Sequence, residues 1–164
     1  MSIATSQNRL KLSTFKLNAL LGMAQAISAE LKTEELVDRF RSILNDDLGI
    51  DRILLYKKEE DRWELLLNSN CPQKVVEGIS VERDLMAFNE ITFVGVAENP
   101  LLLELDVIIP IVQNNATVGY VLIGDTSEYE KGVSATIRHL NFVQTLSIII
   151  FVAIENLRLF HKSL

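Results

Sequence analysis

Apolar residues recur three and four apart at both ends of this chain and gather into short continuous runs in its middle. No other feature narrows the fold as much. A spacing of three and four marks helices that bury one face, and short unbroken runs of Ile, Leu and Val mark strands covered on both sides. From about Arg9 to Leu31 the positions Leu10, Leu17, Leu20, Ala24, Ile27 and Leu31 keep this spacing, with Ser13 the one polar member. That is the seam of a helix that packs along its length, in the manner of a coiled coil. Lys32 and Thr33 interrupt it, and Thr33 is the expected N-cap of a second helix with Glu34 and Glu35 in its first turn. This helix is expected to bury Leu36, Val37, Phe40, Ile43, Leu44 and Leu48, and Gly49 supplies a left-handed stop.

The period then changes. Ile53 to Tyr56, a polar turn at Glu59 to Asp61 and Trp63 to Leu67 predict an antiparallel hairpin. Residues 68–99 form an irregular insert: a loop at Cys71-Pro72, a short helix near Leu85 and a strand at Ile91 to Val94. Asn99-Pro100 predicts a capped turn running through Leu105. Val107 to Val112 and Val118 to Ile123 are strands joined at Asn114-Asn115, with Pro110 pointing to an edge or a bulge. Ser134 is the expected cap of a closing helix, interrupted near Asn141. Strands in the middle with helices at both ends predict an α+β fold. Its sheet has five to six mostly antiparallel strands, with the helices massed on one face.

At 164 residues the chain has the length of one domain. The reading divides it into a lead-in helix over 1–32 and an α+β domain over 33–164. A net charge of -6 opposes a nucleic-acid partner, which wants a basic face, and equally an anionic membrane surface. The segment Leu140 to Ile154 is apolar, but Asn141, Gln144 and Ser147 interrupt it, so it reads as a buried helix rather than a membrane span. Cys71 is the only cysteine and the first twelve residues are polar, which points to a soluble, cytoplasmic protein.

Four stretches together resemble a GAF domain: KTEELVDRFRSILNDDLGI, DRILLYKK, DVIIPIVQNNATVGYVLIGD and TLSIIIFVAIENLRLF. The most specific elements are the strand holding Pro110, the turn after it, Gly119 in the next strand and the late Ile154-Glu155-Asn156. The resemblance spans about Leu17 to Leu159. FKLNALL and IGD also resemble the GAF domains that precede bacterial sporulation-type metal-dependent serine/threonine phosphatases. It implies a bacterial regulatory sensory domain that dimerises and signals to a C-terminal phosphatase or histidine kinase. Such domains also serve as small-molecule sensors with a pocket over one sheet face. The insert here is short and has few candidate polar groups, so either an apolar pocket beneath it or none is expected, with the ligand unidentified.

The chemistries known in this family are tested residue by residue. Methionine sulfoxide reductases of the GAF kind need several cysteines, and bilin attachment wants a cysteine beside a histidine; Cys71 stands alone before Pro72. Phe88, Phe93 and Phe142 lack the Asp-Glu pair of the cyclic-nucleotide signature. Haem wants an axial ligand, usually histidine, yet His139 and His161 both lie in the last helical segment. Cys71 reads as an ordinary exposed loop thiol and the two histidines as surface or helix-end groups. The carboxylate pairs Asp46-Asp47 and Glu59-Glu60-Asp61 read as solvated. No catalytic residue, metal or cofactor is therefore expected, and the chain is not read as an enzyme. A second heptad stripe, Val143, Leu146, Ile150, Ala153, Leu157, Phe160 and Leu164, closes the chain. Its members Val143, Leu146, Ile150, Leu157 and Phe160, with Leu10, Leu17, Leu20, Ala24 and Ile27, are the expected surface of a homodimer.

Overall fold

The computed structural model describes residues 3–28, 31–96, 99–125 and 134–163, with some side chains near these limits left out. Helix α1 (Ile3–Ser28) is followed by α2 (Thr33–Ser42), which continues as a π-helical turn, Ile43–Asp47. Gly49 then adopts φ +76°, the left-handed stop its position predicted. Lys32, not Thr33, occupies the cap position of α2 and makes no side-chain cap bond; Glu34 and Glu35 supply the negative charge that the first turn favours. Leu36, Val37, Phe40, Ile43, Leu44 and Leu48 are buried, as their spacing required.

Strands β1 (Arg52–Glu59) and β2 (Arg62–Ser69) pair antiparallel. The insert holds α3 (Gln73–Gly78), a π-helical turn at Val81–Leu85, β3 (Thr92–Phe93) and a 3-10 turn at Pro100–Glu104. Helix α3 follows the loop expected at Cys71-Pro72 and was not itself expected. It spans only six residues, too few to show a helical period in the sequence. Strands β4 (Val107–Gln113) and β5 (Ala116–Gly124) meet through Asn114 and Asn115, both at positive φ, as a two-residue hairpin demands. Two helices follow, α4 (Ala135–Arg138) and α5 (Leu140–Ser163), with the break at His139.

The strand order is β2-β1-β5-β4-β3, antiparallel throughout. Pro110 sits in a strand flanked on both sides, but β3 pairs only with Val107 and Ile108, so Pro110 lies on the stretch that β3 leaves open. The ladder to β5 shifts register one residue further on, between Ile111 and Val112.

Side chains alternate across this sheet, and the alternation decides what each face does. Ile53, Leu55, Val107, Ile109, Val121 and Ile123 join one core with Met23 and Ala26 of α1, Phe40 of α2 and Val143, Leu146, Ile150 and Phe151 of α5. Leu54, Tyr56, Ile108, Tyr120 and Leu122 face the other way, against Val75, Leu85 and Leu102 of the insert. The same alternation turns Gly119 toward the helices, where the ring of Phe151 lies directly over it. Helix α5 is long and apolar enough to cross a membrane by composition, yet its buried face is committed to this core.

Candidate functional site

Two places bring chemistry together. The first is the insert face of the sheet. Residues Val75, Leu85, Leu102, Ile108, Tyr120 and Leu122 fill it at 1% exposure or less, and Trp63 packs against Tyr120 with ring centroids 5.3 Å apart and planes tilted by 46°. In this apolar layer the Tyr56 hydroxyl is buried without a hydrogen-bond partner. Burial, with Cys71 and Asp84 nearby, pushes its pKa up to about 12, so it remains a neutral O–H.

A cleft of about 630 Å³ opens at the rim of the insert, lined by Gly78, Arg83, Asp84, Ala87, Phe88, Asn99 and Pro100. Its polar wall is already satisfied. Asp84 accepts hydrogen bonds from the Ser80 amide (2.8 Å), from Asn99 Nδ2 (2.9 Å) and from Arg83. The Arg83 guanidinium is the main reason its carboxyl is held down to about 2. Asn99 is the cap its sequence promised: its Oδ1 accepts from the Leu101 amide, and its Nδ2 also donates to the Gly78 carbonyl.

The second place is a cleft of about 560 Å³ between the end of α5 and the two hairpin turns, lined in part by Lys57, Glu59, Gln113, Phe151, Glu155 and Arg158. Lys57 is buried there. Its Nζ donates to Glu59 Oε1 at 2.8 Å and to the Lys58 carbonyl, and lies 3.5 Å from Glu155 Oε2. Arg158 grips Glu155 from one turn further along and lowers its pKa, with Lys57 adding to the effect. The sheet and the last turns of α5 are thus tied by a buried ammonium.

The predicted single residues need correction. Cys71 is not an exposed loop thiol: the insert covers it to 7% exposure, and burial pushes its pKa up to about 11. A thiol so held is a poor nucleophile at neutral pH. His139 is at a helix end, as expected, but it is buried in the joint between α4 and α5. Desolvation first, then Lys16 and Arg138, lower its pKa to about 4. The His161 side chain lies outside the described set. Among the described residues no group of three or more His, Cys, Asp or Glu is placed to hold a metal.

The predicted dimer surface divides. Val143, Leu146 and Ile150 are wholly buried and Ala153 nearly so, while Leu157 and Leu20 are half-buried against the same core. Those positions serve the fold of the chain itself. Leu10 and Leu17 are 69% and 57% exposed, and Ala24 is exposed as well. The side chains of Ile27 and Phe160, and the whole of Leu164, lie outside the described residues. What sequence reasoning missed is the outward face of α5, where Ile148, Val152 and Leu159 are more than 40% exposed. Between Leu146 and Ile154 the one polar residue, Ser147, is itself buried, so nothing in that stretch marks which side faces water.

No family model matches the sequence, and no curated protein does. Solved structures match throughout its length. The GAF domain of a candidate sensor histidine kinase from Pseudomonas syringae pv. tomato aligns over 96% of both chains with a TM-score of 0.64 at 13% identity. The GAF domain/HD domain protein of Geobacter sulfurreducens aligns over 81% of this chain and 98% of its own, with a TM-score of 0.57 at 12% identity. The phycoerythrobilin-bound GAF domain of a cyanobacterial phytochrome covers 91% and 99%, with a TM-score of 0.57 at 17% identity. The chain has the fold of a GAF domain. Its antiparallel five-stranded sheet, with helices at both ends, is the α+β arrangement that the sequence implied.

Proposed function

We propose that this chain is a regulatory sensory domain of a bacterial signalling protein, cytoplasmic and without catalysis of its own. It dimerises and relays its state through α5 to an output domain of the phosphatase or histidine kinase kind. The observation that carries this reading is the double attachment of α5. Phe151 is seated on Gly119 of β5, and Glu155 is held to Lys57 of β1. Any event that shifts β1 against β5 therefore moves the helix, and a ligand or partner that favours one arrangement biases the effector.

The Tyr56 hydroxyl supports the companion reading, a small and largely apolar ligand beneath the insert. It is a lone donor in an apolar layer, which is what orients such ligands. Cyclic nucleotides do not fit that chemistry, and neither should raise the melting temperature beyond the effect of plain AMP or GMP. Free methionine sulfoxide should not be reduced, because the thiol of Cys71 is buried and protonated.

The relay is tested by helix phase. Four residues inserted after Leu159 rotate whatever follows by about 40°, whereas seven nearly restore the face. Joined to its effector, the four-residue variant should lock or abolish regulation and the seven-residue variant should largely keep it. Equal regulation in wild type and both variants would exclude relay through α5.

A further inference from the structure

The cleft at the foot of α5 lies on the helix side of the sheet, away from the insert. Lys57 is directed there because it pairs with Gly119, whose own face is turned toward Phe151. One wall of the cleft is apolar, made by Val118, Phe151 and Leu159. Two features of its polar wall are not used up by the fold. The Nε2 group of Gln113 is buried without a hydrogen-bond partner. The Lys57 ammonium has uneven contacts: 2.8 Å to Glu59 Oε1, 3.3 Å to the Lys58 carbonyl and 3.5 Å to Glu155 Oε2. Glu155 does not depend on the longest of these. Arg158 holds both of its oxygens, Oε1 from Nη2 at 2.6 Å and Oε2 from Nε at 3.1 Å.

We propose that this cleft binds a small monocarboxylate with a short hydrocarbon tail. The carboxylate accepts from Gln113 Nε2 and from the Lys57 N–H now directed at Glu155, while the tail lies on Val118, Phe151 and Leu159. Three considerations fix this class. An unpartnered buried donor asks for an acceptor, and a buried ammonium in the same cleft repels an amine. A neutral alcohol or ketone in the place of Glu155 would leave Lys57 one countercharge poorer, which a buried ammonium resists. The charges lining the cleft cancel, Lys57, Lys58 and Arg158 against Glu59, Glu60 and Glu155, so no positive surplus holds a dianion such as phosphate. The site is separate from the apolar layer beneath the insert, on the other face of the sheet. Occupancy detaches Glu155 from β1. That consequence for α5 rests on the relay reading above, whereas the binding does not.

The test is isothermal titration calorimetry of the 164-residue chain with hexanoate, 1-hexanol and hexylamine. Hexanoate should bind one per chain with a Kd of about 1 mM or tighter, and the other two about tenfold or more weakly. Gln113→Leu should weaken hexanoate by about tenfold or more. Glu155→Gln should act in the opposite direction and tighten it by about threefold to tenfold, because a competing charge is gone. Tyr56→Phe, on the insert face, should leave the affinity unchanged, and circular dichroism checks the fold of each variant. The site is overturned by hexanoate that gives no saturable heat up to about 20 mM, or that binds no better than hexanol. Full affinity in Gln113→Leu or weaker binding in Glu155→Gln overturns it as well. So does a loss in Tyr56→Phe, which would put the ligand beneath the insert. None of these results touches the relay, which the insertion experiment reads as effector output.

Discussion

Gly119 offers the sharpest test of how α5 is held. A Cβ there would stand 2.2 Å from two ring carbons of Phe151 and 3.0 Å from the carbonyl oxygen of Tyr56 in the neighbouring strand. Phe151 is 1% exposed, so its ring has no open space to enter, and the strand cannot retreat because it is hydrogen-bonded to β1. Gly119→Ala on its own ought to help, since alanine is worth about 0.5–1 kcal/mol over glycine within a strand. Overpacking opposes this by about 1–3 kcal/mol, and two ring carbons under the new atom place it toward the upper end. We expect a net loss of about 2 kcal/mol, or about 4–8 °C in melting temperature for a domain of this size. Phe151→Leu alone removes ring atoms from the same contact and should also destabilise, by about 1–2 kcal/mol. The double variant should lose less than the sum of the two, because leucine vacates the space the alanine needs. A coupling of at least about 1 kcal/mol is expected from urea unfolding of all four proteins. A Gly119→Ala protein as stable as wild type, or strict additivity in the cycle, would show that Phe151 is not seated on this glycine.

Two further outcomes follow from buried polar groups. His139 is neutral in the fold with a pKa lowered from 6.5 to about 4, so between those values the unfolded chain takes up a proton that the folded chain refuses. Stability should therefore fall as the pH drops from about 6.5 toward 4, and His139→Leu should flatten that part of the profile in urea titrations at fixed pH values. Asn99→Ala removes the cap of the Leu101 amide and both donations to Gly78 and Asp84. It should cost about 1–2 kcal/mol in thermal unfolding, and an unchanged melting temperature would show that the insert does not depend on this side chain.

The ordering of elements was legible in the residues because it depends on local physics. Helical spacing at both ends, apolar runs in the middle, Gly49 as a stop, Asn99-Pro100 and Ser134 as caps and Asn114-Asn115 as a turn all act within a few residues, and all appear where expected. Some of them, Gly49 and Asn114-Asn115, also lie in the stretches that carried the resemblance to the GAF fold. The buried face of α2 was legible as well, but for α1 and α5 only the tertiary structure decided which side faces what. Helix α5 is apolar around most of its circumference, so several registers fit its sequence equally well. Only the sheet beneath it assigns Leu146 and Ile150 to the core and leaves Ile148 and Val152 outside. The fates of Cys71 and His139 were hidden for the same reason. A thiol before a proline and a histidine at a helix end are exposed or buried according to what packs over them. For Cys71 that cover is the insert, and for His139 it is the joint of α4 and α5, with Lys16 of α1 close by. Burial belongs to contacts between distant segments, and the pKa shifts it produces belong there as well.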